Sequence, residues 1–493
     1  TVRQRDVPMT RMRGPLRRFP DWLRKRKFLA SVLTLLGGAV AGQGILVLAS
    51  PFITRLYGPG EFGALAVFTA LVTLLLSIAS VKYEMAIPLP KDGASATNLV
   101  FISIVVVIIF SAVVALLLLP IAGVFFGWIR APQLRPYAWL LPIGLLGAGV
   151  VQALTYWASR RRQFGLLSWA RGLQSGTQVV LQIGGGLLRL GLIGLVAGYA
   201  LSQFAGLASL LRRSGLSPKT CTPSRWRELA SKYRDFPRYS ALSAIMTVLG
   251  AQLPVILFAR CFTIDVTGFF SLAIRVLGLP VSLVGASVGQ VFYPEAAAQK
   301  ENAALSKSMF ERTAGILFIL AFAVFAFIGF NGPELFSLVF GAEWKTAGRY
   351  AQYLAPWLML SFVASPLSSF SMVAGAQKQS LWFSSGVMVL RMVSIWLGAR
   401  WQSAELAVLF FSISGSIICV FYFAWVLGLA GSGLGRWCRS MRSFLLTTVL
   451  VLGALGALQQ GLAAPVFIIL SGVLLATVSL WFLARAEKEV EHG

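Results

Sequence analysis

The chain has 493 residues, of which 57% are hydrophobic and only 12% charged, whereas a soluble domain carries roughly a quarter of its residues as Asp, Glu, Lys and Arg. This composition excludes a soluble globular fold and indicates a chain that crosses a bilayer many times, because one spanning helix needs about 20 apolar residues. The net charge of +26 comes from 43 Lys and Arg against 17 Asp and Glu. These cations lie in short gaps between apolar stretches, which favours basic cytoplasmic loops over a nucleic-acid partner.

Apolar runs of spanning length follow one another along the chain. Ending each run at charge clusters and at Pro or Gly turns predicts an all-α integral membrane protein with about 14 transmembrane helices. The basic start of the chain has no apolar segment before a cleavage site, so we expect no signal peptide there. The predicted helices cover residues 29–52, 62–80, 94–122, 137–158, 166–188, 190–211, 240–262, 266–292, 313–340, 350–373, 381–399, 404–429, 443–458 and 462–484.

The longest polar interruption divides the predicted helices into two pseudo-symmetric six-helix bundles and a C-terminal helix pair. The predicted segments are a basic cytoplasmic N-terminal segment, a first bundle, a basic cytoplasmic loop, a second bundle, and the helix pair with a cytoplasmic tail. Their ranges are 1–28, 29–211, 212–239, 240–429 and 430–493.

A weak internal repeat supports the division into two halves. In each half a helix carries a glutamine, ends in an arginine and turns through glycine into the next helix. The two sets are Gln43, Arg55 and Gly63 in the first half, and Gln252, Arg260 and Gly268 in the second. Duplicated halves favour an alternating-access transporter with its site between them; chance similarity between apolar helices is the alternative reading.

The cations also predict the orientation of the chain. With a cytoplasmic N-terminus, about 32 of the 43 Lys and Arg fall on the cytoplasmic side and about 8 on the other. We therefore expect a multi-pass protein of the bacterial inner membrane with both termini in the cytoplasm.

Three arginines, Arg171, Arg275 and Arg391, fall inside predicted helices. A cation at the bilayer centre costs about 2.5–3.5 kcal/mol even on insertion scales, so such residues usually face a bundle interior or a wet cavity. No carboxylate falls at the middle of a predicted helix. A cationic cavity without acidic neighbours should attract an anion, and guanidinium suits a phosphate or pyrophosphate through paired hydrogen bonds. Arg171 is near a helix end, from which it could instead reach the interface.

Polar side chains inside the helices complete the candidate cavity. Gln174, Gln178 and Gln182 are four residues apart and share one helix face with Arg171 nearby, as expected for a wet path. Hydrogen bonds between helices are the alternative role for such residues. The remaining candidates for contacts to the substrate are Gln43, Gln252, Arg55 and Arg260.

Signals of catalysis are weak. The chain has no nucleotide-binding P-loop, no nucleophile elbow and no HExxH motif, and its single histidine is His492. Its four cysteines are widely spaced, so neither a metal site nor a disulfide framework is predicted. We expect a protein that is not an enzyme and that needs no cofactor.

Four segments carry a resemblance to a known family. FITRLYGPGEFG at 52–63 and KYEMAIPLPKD at 82–92 resemble the opening of bacterial polysaccharide flippases, the Wzx-type members of the multidrug/oligosaccharidyl-lipid/polysaccharide (MOP) exporter superfamily. YRDFPRYS at 233–240 and the block RVLGLPVSLVGASVGQVFYPEAA that begins at Arg275 resemble the start of the second half in lipopolysaccharide and capsule members.

The resemblance implies two six-helix bundles around a central cavity. It also implies transfer of an undecaprenyl-pyrophosphate-linked oligosaccharide, an O-antigen, capsule or exopolysaccharide repeat unit, from the cytoplasmic to the periplasmic leaflet. Arg275, in a matching block, would bind the pyrophosphate. The implied partners are this lipid, membrane lipids, a polysaccharide polymerase and other envelope-assembly proteins. The alternatives are a cation-coupled multidrug antiporter, which would need an intramembrane carboxylate, and a membrane-embedded transferase or scaffold of polysaccharide biosynthesis.

Overall fold

The computed structural model describes residues 42–216, 221–298, 303–459 and 463–491, and within these ranges the chain forms helices and turns and no strand. Three expectations lie outside the described residues: the basic segment 1–28, the first part of the helix predicted at 29–52, and His492. For the described chain, the prediction of an all-helical membrane protein is confirmed.

Most described ends of the first six long helices lie within a few residues of the predicted bounds; the first helix is described only from residue 42, and the third ends six residues beyond its predicted bound of 122. They are α1 (42–56), α2 (Pro59–Leu76), α3 (Gly93–Trp128), α4 (Leu140–Arg160), α5 (Phe164–Leu187) and α6 (Leu192–Arg213). Between α2 and α3 the chain makes a compact turn, 77–92, that contains the 3-10 helix Tyr83–Ala86. Asp92 ends this turn and caps α3, its carboxylate accepting a 2.7 Å hydrogen bond from the backbone N–H of Ser95. This bond holds the pKa of Asp92 below its usual value.

In the described chain, the second half contains six long helices and two short ones. It comprises α7 (Trp226–Lys232), α8 (Ala241–Cys261), α9 (Ile264–Ala298), α10 (Ala303–Phe340), α11 (Lys345–Leu367), α12 (Phe370–Val373), α13 (Gln377–Arg400) and α14 (Ala404–Leu429). The chain then continues through α15 (Leu434–Ser440), α16 (Arg442–Gln459) and α17 (Ala464–Glu491).

Eleven helices in the described part of the chain are long and apolar enough to cross a membrane. Two further helices, α5 and α13, have 24 residues each and are absent from this set because polar residues interrupt them. These interruptions include predicted site residues, Arg171 and glutamines in α5 and Arg391 in α13. Since α1 is described only from residue 42, the total of 14 spans stays a prediction.

Helices pack mainly within each half, and α2 also packs on α8 and α9 across the two halves. In the first half α6 packs on α4 and α5, and α3 packs on α4; in the second, α11 packs on α9, α10 and α14, and α14 packs on α13. The buried apolar side chains form several clusters. Those around Phe68 and Leu99 lie mostly in the first half, whereas the one around Phe310 and Phe325 also includes Ile53 and Phe62 of the first half. Between spanning helices, such packing supplies van der Waals contact.

The C-terminal pair packs against α10 around a break in its backbone hydrogen bonding. Pro333 lies inside α10 and cannot donate to the carbonyl of Gly329, one turn earlier. Gln352 of α11 donates to that carbonyl at 2.8 Å instead. Two residues before the proline, the Asn331 amide donates to the Ser471 hydroxyl of α17 at 2.9 Å. The bond between Asn331 and Ser471 attaches α17 to the second bundle.

The helices α2 and α9 cross at equivalent glycines. Gly63 is the fifth residue of α2 and Gly268 the fifth residue of α9. A Cβ on Gly63 would overlap the carbonyl oxygen of Ile264, and one on Gly268 would overlap that of Pro59. The reciprocal pattern is that of a local two-fold axis through the crossing, and it supports the internal repeat inferred from these two glycines.

The central loop packs onto the first bundle. Sequence alone set residues 212–239 apart as a separate basic loop. In the structure the Asn98 side-chain oxygen accepts a 3.0 Å hydrogen bond from the Trp226 indole, and the Tyr83 hydroxyl donates to the carbonyl of Ala230 at 3.3 Å. Burial raises the pKa of Tyr83, so this donor keeps its proton at neutral pH.

Candidate functional site

The loops lie at two ends of the helices, and their charges differ. We call the end that holds 77–92, 161–163, 221–240 and 368–376 the basic face, and the end that holds 57–58, 129–139, 188–191 and 341–344 the opposite face. At the basic face, Arg160 donates to the carbonyl of Pro90 at 2.6 Å, and Arg161 donates to that of Ser214 at 2.8 Å. Some of its cations therefore hold the loops in place.

The opposite face is closed where the two bundles meet. Besides the crossing of Gly63 and Gly268, the Trp344 indole from the connection between α10 and α11 donates to the carbonyl of Thr54 at 3.1 Å. Trp344 is 1% exposed and packs edge-on against Phe62, with ring centroids 5.0 Å apart. A side chain of the second bundle thus fills a space between α1 and α2.

Arg275 is the predicted site cation on α9. It lies eleven residues after Ile264, which places it about 16 Å from the opposite face at 1.5 Å per residue. Its side chain is partly exposed. Among the described residues it takes part in none of the ion pairs, which are Lys82–Glu84, Lys345–Glu334 and Arg349–Glu405.

Arg391 lies between aromatic rings of two other helices in the second bundle. Its guanidinium carbon is 4.7 Å from the ring centre of Trp357 on α11 and 5.2 Å from that of Phe411 on α14. Its Nε is buried without a hydrogen-bond partner among the described residues. A Cβ on Gly415 would lie 2.7 Å from the Trp357 ring, so this glycine lets the indole pack closely on α14. Sequence reasoning missed both rings because no spacing links them to Arg391.

Arg391 and Gln252 share a depth. Each is nine residues before the end of its helix at the opposite face, or about 13 Å from it. The helices α8 and α13 touch where the Cβ of Met388 lies 3.8 Å from the position that a Gly250 side chain would take. The second bundle therefore holds Arg275, Arg391 and Gln252 within a few ångströms of one level.

Gln43 of α1 joins the two bundles. Its side-chain oxygen accepts a 3.1 Å hydrogen bond from the hydroxyl of Ser282, which lies two turns beyond Arg275 on the same face of α9. Arg171 is exposed on α5 next to α1, its Cβ 3.8 Å from the position that a side chain on Gly42 would take. The structure thus brings Gln43 and Arg171 to neighbouring helices.

The glutamine stripe of α5 faces other helices. The Gln174 amide donates to the Gln203 side chain of α6 at 2.6 Å, and the Gln182 amide donates to the carbonyl of Leu195 at 3.1 Å. These two residues therefore have the alternative role, which is to form hydrogen bonds between helices. Gln178 is also buried, with no hydrogen bond to a described residue, so its role in a cavity stays a prediction.

Arg55 and Arg260 occupy equivalent positions away from the deep arginines. Each is the penultimate residue of its helix at the opposite face. Arg55 is exposed, and the Arg260 guanidinium lies 5.7 Å from the ring centre of Trp128. The structure does not bring them to the depth of Arg275.

A buried carboxylate near the basic face is an additional polar site in the first bundle. Glu84 is fully buried, accepts hydrogen bonds from the Ser80 hydroxyl and, at 2.9 Å, from the Gln152 amide, and lies 3.7 Å from the Lys82 ammonium. The two residues before Tyr83 hold strained backbone, with φ of 48° at Val81 and 64° at Lys82. Sequence reasoning placed Glu84 in a loop but could not foresee that the loop folds inward.

Comparison with known proteins points to polysaccharide biosynthesis. A family model described as polysaccharide biosynthesis protein matches residues 52–349, more than half of the chain. The teichuronic acid biosynthesis protein TuaB of Bacillus subtilis is 21% identical over 203 residues, which are 41% of this chain and 39% of that protein. The match therefore spans about two fifths of the relative's length.

Solved structures show the same fold. The inward closed conformation of the lipid II flippase MurJ superposes with a TM-score of 0.66 at 12% identity, covering 94% of this chain and 99% of that one. An inward-facing multidrug resistance MATE family transporter of the MOP superfamily superposes with a TM-score of 0.64 at 17% identity, covering 79% and 94%. The chain thus has the fold of MOP-superfamily membrane transporters.

Proposed function

Because the chain belongs to the polysaccharide biosynthesis protein family, we propose that it is a flippase for an undecaprenyl-pyrophosphate-linked oligosaccharide. The cargo is an O-antigen, capsule or exopolysaccharide repeat unit, and it moves from the cytoplasmic to the periplasmic leaflet of a bacterial inner membrane. Two relatives fit this class by name, one a teichuronic acid biosynthesis protein and one a lipid II flippase.

The observation that carries the proposal is the pair of deep guanidinium groups. Arg275 and Arg391 lie about 16 Å and 13 Å from the opposite face, and neither has a carboxylate partner within 4.0 Å among the described residues. Cations left unpaired at this depth are costly unless a ligand supplies the counter-charge. A pyrophosphate supplies it with several acceptor oxygens, which guanidinium binds in pairs.

The remaining candidates provide weaker support. Gln43, Gln252 and Gln178 would hydrogen-bond sugar hydroxyls, and Arg171 would meet the head group at the entrance. Arg55 and Arg260 would act only late in the cycle, since they lie at the opposite face. We assign the basic face to the cytoplasm because cations concentrate in cytoplasmic loops.

An alternating-access cycle follows from the closed opposite face. The crossing at Gly63 and Gly268 and the Trp344 contact with Thr54 shut this side, so the head group would enter from the basic face. Separation of α2 from α9 would then open the way out.

The test replaces both deep arginines. Arg275→Ala with Arg391→Ala should lower translocation of the lipid-linked saccharide in proteoliposomes more than about tenfold, because charge-assisted hydrogen bonds contribute about 1.5–3 kcal/mol each. The matched control is Arg400→Ala, an exposed arginine on the same helix as Arg391, which should retain the original rate. In cells, the double variant should accumulate the lipid-linked saccharide on the cytoplasmic leaflet, identified by mass spectrometry.

An unchanged rate in the double variant would refute the proposal. Drug efflux that depends on a carboxylate would favour the multidrug antiporter instead. The fully buried Glu84 is the residue to replace in that assay, although its pairing with Lys82 makes it a poor site for a mobile cation.

A further inference from the structure

An apolar cleft runs between α13 and α14. The two helices are antiparallel, and the hydroxyls of Ser394 and Ser414 hydrogen-bond at 3.0 Å in the half of each helix nearer the opposite face. From that point toward the basic face the interface opens into a cavity of about 580 Å³. It is lined by Phe383, Gly386, Leu390, Ile418, Phe421, Ala424 and Trp425.

These lining residues are the ones that would normally fill a helix interface. Leu390 is one turn from Ser394, and Ile418 is one turn from Ser414, so they continue the same line of contact in opposite directions along the chain. A Cβ on Gly386 would still meet no atom within 4 Å. Helix pairs in membranes pack closely, usually with small residues at the contact, so this space is an open cleft between helices that touch farther along.

The cleft cannot hold ordered water but can hold a lipid chain. Its lining offers side chains without charge, and apolar cavities stay dry. It also opens outward, since Phe421 is 65% exposed and Leu390 is 42% exposed. Phe383 and Trp425, whose ring centres are 5.2 Å apart, form one broad wall with Tyr422. These aromatic side chains present a large apolar surface on which the methyl-branched chain of a polyisoprenoid can pack.

A cation lies beside the cleft. Arg391 directly follows Leu390, so the guanidinium projects from the adjoining face of α13, about 100° around the helix. It is held there by Trp357 and Phe411 and has no carboxylate partner among the described residues. An apolar cleft next to an unpaired cation is complementary to an amphiphile with an anionic head and a branched apolar chain.

We propose that the α13–α14 cleft binds the polyisoprenoid chain of the lipid-linked saccharide, near the head-group site and within the leaflet of the basic face. The inference rests on the proposed function for the identity of this lipid. The inference adds the position of the polyisoprenoid chain while the head group is inside the protein. The second bundle holds both the head group and the polyisoprenoid chain, and this chain extends sideways through the cleft into the bilayer.

The experiment measures occupancy of the cleft separately from transport. A polyisoprenyl diphosphate with a photoreactive group in its chain is reconstituted with the full-length protein, and the labelled peptides are mapped. Gly386→Leu adds a side chain inside the cleft, and Gly453→Leu on α16 is the matched control, because a Cβ at either glycine meets no atom within 4 Å. We expect labelling of α13 and α14 to fall about tenfold in Gly386→Leu and to stay unchanged in Gly453→Leu.

Competition identifies the lipid. Unlabelled polyisoprenyl diphosphate should abolish the labelling, whereas an equal amount of phosphatidylglycerol should not. Equal labelling of both glycine variants, or displacement by the phospholipid, would overturn the proposal and make the cleft a site for bulk lipid. If wild-type protein translocates the saccharide but leaves α13 and α14 unlabelled, only this inference fails. If the cleft is labelled and no saccharide moves, the proposed function fails instead.

Discussion

Replacing the buried carboxylate Glu84 with glutamine should destabilise the first bundle strongly. The substitution keeps the size of the side chain and an oxygen that can accept from the Gln152 amide. It removes the charge opposite Lys82, whose side chain is 11% exposed. Removing one member of a buried ion pair costs about 3–5 kcal/mol, and we expect the lower end because one hydrogen bond survives.

The chain offers a matched control. Lys345 and Glu334 form an ion pair of nearly the same length, 3.6 Å against 3.7 Å, but their side chains are 57% and 37% exposed. Glu334→Gln should therefore cost less than about 1 kcal/mol. Denaturant titration of the purified protein in detergent gives the free energy of unfolding of each variant and compares the two directly.

A double replacement tests the cause. If the unpaired ammonium causes the loss, Lys82→Met combined with Glu84→Gln should recover part of the stability that Glu84→Gln alone loses. Equal stability of Glu84→Gln and Glu334→Gln would refute the reasoning, because burial would then make no difference to the pair.

Three further substitutions test other contacts. Gly63→Ala places a Cβ against a backbone carbonyl at the crossing and should make cysteines at the opposite face more accessible to a membrane-impermeant maleimide, whereas Gly44→Ala, in open space, should not. Trp344→Phe loses the indole bond to the Thr54 carbonyl and should cost about 0.5–1.5 kcal/mol in denaturant titration. Asn98→Ala releases the hydrogen bonds that hold the central loop and should speed its cleavage by trypsin.

Each of these three predictions has a result that would contradict it. Equal maleimide labelling of the two glycine variants would show that the crossing does not close the opposite face. An unchanged denaturation midpoint in Trp344→Phe would limit the indole to a packing role. A trypsin pattern identical to wild type would mean that packing alone holds the central loop.

The membrane helices were largely predictable because the bilayer imposes a length. Charge clusters and Pro or Gly turns ended the apolar runs close to the observed ends, and α14 has the predicted bounds of 404 and 429. The equivalence of Gly63 and Gly268 was also readable, because a glycine at the same step of two similar segments marks a repeated close contact.

The surroundings of the polar residues were not predictable. The spacing of Gln174 and Gln182 shows that they share a helix face, but it does not show whether that face meets a cavity or α6. The Arg391 rings come from α11 and α14, which are distant in sequence, and Glu84 is buried by a turn with left-handed backbone at Val81. These features depend on tertiary contacts that a single sequence does not encode locally.

The helices α2 and α9 extend to unequal lengths beyond their crossing, so a rotation at the crossing would displace their far ends by unequal distances. From Gly63 to the end of α2 there are 13 residues, whereas from Gly268 to Ala298, the last described residue of α9, there are 30, or about 20 Å against 45 Å of helix. A rotation of about 10° at this fulcrum would move the far end of α2 by about 3.5 Å and that of α9 by about 8 Å. The far end of α9 in the second bundle would therefore move farther than that of α2. A small rotation at the two glycines would cause a large displacement at the other surface of the membrane.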